Sequence, residues 1–467
     1  MHGFKNRLMC FVSVVMPIVW ALVMALALAP LLAACGGGGG PDAPAPGTGP
    51  VINGFASTTT RALVGERATL VASFSGGQGR IEPGIGPVTS GVAITTPVLT
   101  QGVRYTLVVE GNGASARREL ALDVQFRDRY EVLPERQLQY HAAVAAADGS
   151  VLVFGGSRGE NVVSDAIDRF DPATRTFTRI GTLRTGRFLH TATRITSGPA
   201  RGQVLVLGGG VSVDIGAVAD LVDERTGAVS DGGQLQQPRA RHAVVALADG
   251  RALVVGGANR NTVELWDPAT RSFRLVTARM RHVREWPTAT LLADGRVLIA
   301  GGDTVATQYV LAEIFDPATE TFTPVETSFT ERRYLHTAHR TAEGRVLLVG
   351  GEVVDAQGQR LQPLASVLQF DPATGQITAR RALDLGRSLA AAVNVGETLL
   401  LFGGTTPTQE AATSGTAWRD DAAPRALAPL PAGRIFHTAT RMGDGRVLIL
   451  GGDTADGAPV KQVLIYE

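Results

Sequence analysis

Cysteine is almost absent from this chain of 467 residues, occurring only at Cys10 and Cys35. No disulfide can form in anything that folds after them, so such domains hold together by packing alone. An excess of charge is missing too: 44 Lys and Arg stand against 43 Asp and Glu, a formal net charge of +1. No basic tract stands out, which excludes electrostatic capture of nucleic acid. No stretch carries the 3.6-residue apolar period, so helical architectures drop out. Signatures with defined metal or phosphate chemistry are also missing: no H-E-x-x-H, no P-loop and no paired zinc-ligand spacing. A G-x-S-x-G sequence does occur at Gly155 to Gly159. It ends a strand with no helix after it, which is not the setting of a nucleophile elbow. No metal and no cofactor is expected.

The first acidic residue is Asp42. Before it, Lys5 and Arg7 introduce a long apolar run broken by Pro17 and Pro30, the pattern of an export signal. The run is long enough to span a bilayer, but the two prolines argue against an anchor. It ends in "LAAC", Leu32 to Cys35, which resembles the lipobox of bacterial lipoproteins. That resemblance implies removal of residues 1–34, acylation of Cys35 and a lipid-anchored protein of the bacterial cell envelope. Gly36, where inner-membrane retention uses Asp, points to the outer membrane. Residues 35–50 are Gly- and Pro-rich with almost nothing to bury, and read as a flexible tether.

Residues 51–126 alternate apolar and polar side chains in "RATLVASF", "RYTLVVEG" and "RRELALDVQF", broken by Gly, Pro and Asn. A period of two argues strands with one buried face, and this many in this length suggests a small β-sandwich. "RYTLVVEGNGAS" resembles the immunoglobulin-like domains of bacterial surface proteins.

The 56 glycines are not spread at random. Double glycines close an apolar strand at Gly155, Gly208, Gly256, Gly301, Gly350, Gly403 and Gly451, a step of about 49 residues. Each unit reads as strand, turn, strand, strand, turn, strand, the first turn often Asp-Gly and the second "DPAT" at Asp171, Asp267, Asp316 and Asp371. A four-stranded unit repeated seven times predicts a seven-bladed β-propeller over residues 128–467. Repeats and double glycines are similar to those of the kelch family. The seventh unit lacks a fourth strand, whereas "RDRYEVL" precedes the first with Tyr130 in the place of the Phe that follows "DPAT". That segment is expected to close the ring. The fold class is therefore all-β, a kelch-type propeller after an immunoglobulin-like sandwich.

One phrase recurs with the repeat. His141, His190, His242, His336 and His437 hold one position, and Arg187, Arg239, Arg284, Arg333 and Arg434 stand three residues before it. A reaction centre is a single place, so a pair written into most blades reads as a hydrogen-bonding device between blades. The residue just before the histidine position varies more: Tyr140, Leu189, Arg241, Trp286, Leu335, Leu389 and Phe436. Kelch resemblance sets this ring at one mouth of the central channel. Tyr140, His141, Arg241, Trp286 and Phe436 are thus the candidate ligand-binding residues, with a glycan or protein as partner and no catalysis; aromatic plugging of the channel is the alternative. An enzymatic alternative follows from resemblance to galactose oxidases, whose Tyr-His pair is matched by Tyr140-His141. Their cysteine–tyrosine crosslink has no counterpart beyond Cys35. Sugar mutarotases of kelch type are a second enzymatic alternative.

Overall fold

The computed structural model describes residues 49–467 except 60, 160–161, 211–214, 303–309 and 356–359. The export signal, Cys35 and nearly all of the tether lie outside the described residues. Residues 49–467 form one unit.

The first part of that unit is a pair of antiparallel sheets. One holds Val51–Ser57, Thr69–Ser75 and Ala93–Thr95; the other holds Gly86–Val88, Gln78–Glu82, Val103–Gly111 and Ala114–Leu122. Alternation does the work here. Leu70, Ala72 and Phe74 point inward from Thr69–Ser75 and meet Ile81, Leu107 and Val109 of the facing sheet in one core.

Seven four-stranded antiparallel sheets follow as blades: blade 1 (142–182), blade 2 (191–234), blade 3 (243–275), blade 4 (288–324), blade 5 (337–380), blade 6 (391–427) and blade 7 (438–466 with 130–133). The second strand of each, such as Val151–Phe154 or Val447–Leu450, is buried along its length because a neighbouring blade covers each face. Such strands read as unbroken apolar runs instead of alternating ones. The innermost strands touch their neighbours all round the ring, the first against the seventh included.

Ring closure follows the expected route. Tyr130–Leu133 pairs with Val463–Tyr466, which in turn pairs with Val447–Leu450. Tyr130 sits opposite Tyr466 as Phe177 sits opposite Phe170 and Phe322 opposite Phe315. Asp128 fastens the incoming strand, accepting from the Tyr466 hydroxyl at 2.8 Å and from the Ala428 amide at 2.9 Å. In the "DPAT" turns the aspartate caps its own turn: Asp171 Oδ1 accepts from Ala173 N at 2.7 Å, and Asp267, Asp316 and Asp371 repeat it.

The sheet pair meets the propeller at its Asp-Gly turns. Arg441 donates to the Thr100 carbonyl at 2.9 Å, and Arg127 pairs with Glu66. A cleft of about 870 Å³ lies between the two, beside blade 6. The other end, where the innermost strands begin, is turned away from this contact. Among the described residues no helix is long and apolar enough to cross a membrane.

Candidate functional site

The Arg-x-x-His phrase divides its labour. Each arginine side chain is a staple within its own blade. Arg239 donates to the Gly256 carbonyl at 2.8 Å and to Glu264 Oε1 at 3.0 Å; Arg284 donates to the Gly301 carbonyl at 2.6 Å and to Glu313 Oε2 at 3.0 Å. Arg187 reaches Asp220 Oδ2 at 2.9 Å. Arg387 fills the same place in blade 6 and donates to Gly403 O at 3.0 Å and Ser414 O at 2.8 Å. A reading anchored on histidine passes it over, because Ala390 follows it. These guanidinium groups are essentially inaccessible to solvent, and a buried charge is tolerable only when paired and hydrogen-bonded. The carboxylate is not universal: Leu368, Thr416 and Leu464 stand at the register position of Glu264 in blades 5, 6 and 7, and burial pushes the Arg434 pKa down to about 10.

The histidines work between blades. His141 Nε2 pairs with Thr438 Oγ1 of blade 7 at 2.8 Å, His242 with Thr191 of blade 2 at 3.0 Å, and His336 with Thr288 of blade 4 at 2.9 Å. Three of the five rings make one such bond. The expected use of both ring nitrogens is not seen: Nδ1 of all five histidines has no hydrogen-bond partner among the described residues. Burial accordingly depresses their pKa values, to about 3 for His141, His242, His336 and His437 and well below the ordinary value for His190. They are neutral masonry.

The double glycines complete the seam. The Gly209 amide donates to the Arg239 carbonyl of the next blade at 2.8 Å, and every seam repeats this bond, with Gly452 using Leu138 O at 3.1 Å. A Cβ on Gly208 would lie 2.5 Å from His242 Cε1 and 2.7 Å from Arg239 O. No other residue fits there.

The ring of variable residues begins the innermost strands. All seven have positive φ, from 52° at Tyr140 to 58° at Arg241. That conformation costs roughly 1–2 kcal/mol for a non-glycine residue, and its recurrence in every blade makes it architecture. At three junctions the carbonyl so turned accepts from the same position one blade on: Tyr140 O from Leu189 N at 3.1 Å, Arg241 O from Trp286 N at 2.8 Å and Leu335 O from Leu389 N at 3.2 Å. The side chains converge on the axis. Trp286 of blade 4 lies 5.9 Å from Phe436 of blade 7 between ring centroids, and Phe436 lies 5.2 Å from Tyr140 of blade 1. Blades 4 and 7 face each other across the channel, so these three rings meet over its mouth.

Arg241 stands at the rim, its side chain 48% exposed, with Glu285 Oε2 at 3.5 Å. Tyr140 is half-buried beside Asp453, and burial together with that carboxylate pushes its pKa up to about 12. Asp453 is almost fully buried and accepts from the Gln139 amide. Burial raises its pKa. Neither Gln139 nor Asp453 stands out in the sequence, since Asp453 differs from the residue after the double glycine in most blades. His141 is set apart from the other four candidates, 7% exposed in the seam behind Tyr140.

The kelch motif matches residues 140–184, from Tyr140 through the first blade. This is a kelch-repeat propeller. Among solved structures, a fungal alcohol oxidase of the AA5 family in complex with copper aligns with a TM-score of 0.57 at 15% identity, covering 72% of this chain and 76% of that one. The structure of YjhT aligns with a TM-score of 0.44 at 15% identity, covering 71% and 96%. At 15% identity the likeness to the copper-bound oxidase is one of fold. Comparison with curated proteins gives no match.

A copper-radical centre does not fit the residues at the mouth. His141 is buried in the seam with its Nε2 committed to Thr438, and no cysteine beyond Cys35 can crosslink a tyrosine. Among the described residues no group of three or more His, Cys, Asp and Glu side chains could hold a metal ion.

Proposed function

We propose that this chain is a lipoprotein of the bacterial cell envelope, anchored through Cys35 in the outer membrane, whose kelch propeller is a non-catalytic binding module for a glycan or a protein. The observation that carries the binding reading is the meeting of Trp286, Phe436 and Tyr140 over the channel mouth, with Arg241 exposed beside them. Flat apolar faces suit sugar rings or partner side chains, and a guanidinium adds a planar donor fork. The mouth lies at the end of the propeller away from the sheet pair. A glycan-array screen of the 49–467 unit, with Trp286→Ala and Arg241→Ala beside it, tests binding at this place. Loss of a signal in both variants supports the reading; signals untouched by both remove the site from the mouth. Cys35→Ser tests the anchor separately: it should abolish labelling by a radioactive fatty acid and leave the leader uncleaved.

A further inference from the structure

A second place in the propeller has the makings of a site, at the opposite end of the strands from the channel mouth. Between blades 5 and 6, beside the hairpin turns, lies a cavity of about 250 Å³. Its lining includes Leu347, Leu399 and Trp418, each 5% exposed or less. Gln369 also lines it and is 4% exposed. Its Oε1 accepts from Arg380 Nε at 3.1 Å, and its Nε2 has no partner among the described residues.

The other blades show that this glutamine is not required by the fold. At the same register the third strands carry Leu221, Leu265, Ile314, Ala417 and Ile465. Blade 1 carries Arg169, whose terminal nitrogens reach Asp148 Oδ2 at 3.0 Å and, across the seam, the Arg225 carbonyl at 2.8 Å, while its Nε has no partner. Gln369 alone leaves a buried amide donor unused, which costs roughly 1–3 kcal/mol unless an acceptor reaches it.

The rest of the lining narrows what that acceptor belongs to. Both arginines at the cavity are ion-paired, Arg419 with Glu397 and Asp421 at 2.9 Å each and Arg345 with Asp371 at 3.4 Å. No cation is left to recognise a phosphate or carboxylate. An apolar guest would leave the Gln369 donor stranded. What fits is a compact, uncharged molecule with a C–H face and several oxygens, which is the description of a sugar ring. We propose that the cavity between blades 5 and 6 binds one neutral sugar residue, seated on Leu347, Leu399 and Trp418, with a sugar oxygen accepting from Gln369 Nε2. The rim carboxylates and the Asn394 side chain then face its hydroxyls.

The test uses the full chain in detergent, titrated with glucose, galactose and N-acetylglucosamine and followed by saturation-transfer NMR. Gln369→Glu keeps the shape and the Arg380 bond but replaces the donor by an acceptor. It should weaken binding about tenfold, the equivalent of one hydrogen bond to the amide, and Gln369→Leu should do the same if the glutamate variant is poorly folded. Repeating the titrations in the Trp286→Ala background takes away any contribution from the mouth, and the loss caused by the Gln369 variants should persist there. Absence of binding by all three sugars, or binding in that background that survives both Gln369 variants, overturns the proposal. Complete loss in Trp286→Ala alone overturns it as well, and assigns the sugar to the mouth.

Discussion

His141 Nε2 and Thr438 Oγ1 lie 2.8 Å apart, and they join the first blade to the last. The same pairing links blades 2 and 3 and blades 4 and 5, and its failures are as regular as its successes. His190 and His437 face Ala142 and Ala391 where the threonine would be, and their Nε2 atoms lack a hydrogen-bond partner. The Phe154 and Phe402 carbonyls near them still pull their pKa values slightly upward, though the geometry falls short of a hydrogen bond. Thr337 faces Ala390 and is likewise unpartnered. Blades 3 and 4 present Ala243 and Pro287, with neither half of the pair.

Completing a half-made pair should therefore stabilise the ring. Ala142→Thr and Ala391→Thr are each expected to gain about 1 kcal/mol, the net worth of one intramolecular hydrogen bond. Thr191→Val, which strands His242, should cost about 1–3 kcal/mol. Urea unfolding of the three variants checks this. No gain in either alanine variant would mean that the pairs are incidental.

Acid should weaken the protein in a window set by these histidines. Their folded pKa values lie near 3, below the ordinary 6.5, so the unfolded chain binds protons that the folded one refuses. The stability they confer is complete above pH 6.5 and is lost as the pH falls from 6.5 towards 3. Each contributes up to about 1.4 kcal/mol per pH unit there. Unperturbed carboxylates titrate near 4, so the loss between pH 6.5 and 5 belongs to the histidines. Thermal midpoints should fall steeply over that interval, and His437→Gln should flatten the slope. A flat profile down to pH 5 would contradict the burial of these rings.

The blades were legible because repetition averages out local ambiguity: one apolar strand ending in Gly-Gly is weak, and seven at a fixed step leave one architecture. Tyr130 could be matched to its place because the closing strand keeps the repeat's own residue there. The chemistry of the seams was less legible. Histidine was visible as a recurrent letter, but its partner Thr438 is a whole chain away from His141, and only the closed ring makes them neighbours. Gln369 was not legible at all, since a glutamine on a strand carries no signal until its neighbours leave it without an acceptor.

The buried arginine staples predict an asymmetry. Glu264→Gln leaves Arg239 buried and charged without its carboxylate, and should cost about 3–5 kcal/mol, the penalty for breaking a buried pair from one side. In blade 7 the position is already Leu464, so Arg434→Met removes an unpaired buried charge and should be much milder. Chemical denaturation compares the two directly. Equal costs would show that the carboxylates are not what makes these arginines tolerable.

The mouth offers the sharpest separation of structure from function. Trp286 reaches across the channel to Phe436, so the two rings both close the axis and form the proposed binding face. If closure were their only role, Trp286→Phe should retain most of it, because a smaller ring still packs on Phe436; only part of the indole's contact area is lost, at about 25 cal/mol per Å² of apolar surface. Arg241 makes no part of that packing. Its side chain is 48% exposed and its contact to Glu285 is long, so Arg241→Ala should change stability by less than about 1 kcal/mol. A ligand held at the mouth by both groups would instead bind several-fold more weakly to each variant. Binding to a glycan or protein identified by screening, set beside the thermal midpoint of the same samples, distinguishes the two roles. Stability lost in Trp286→Phe with ligand affinity unchanged in both variants would reduce the aromatic ring to a plug.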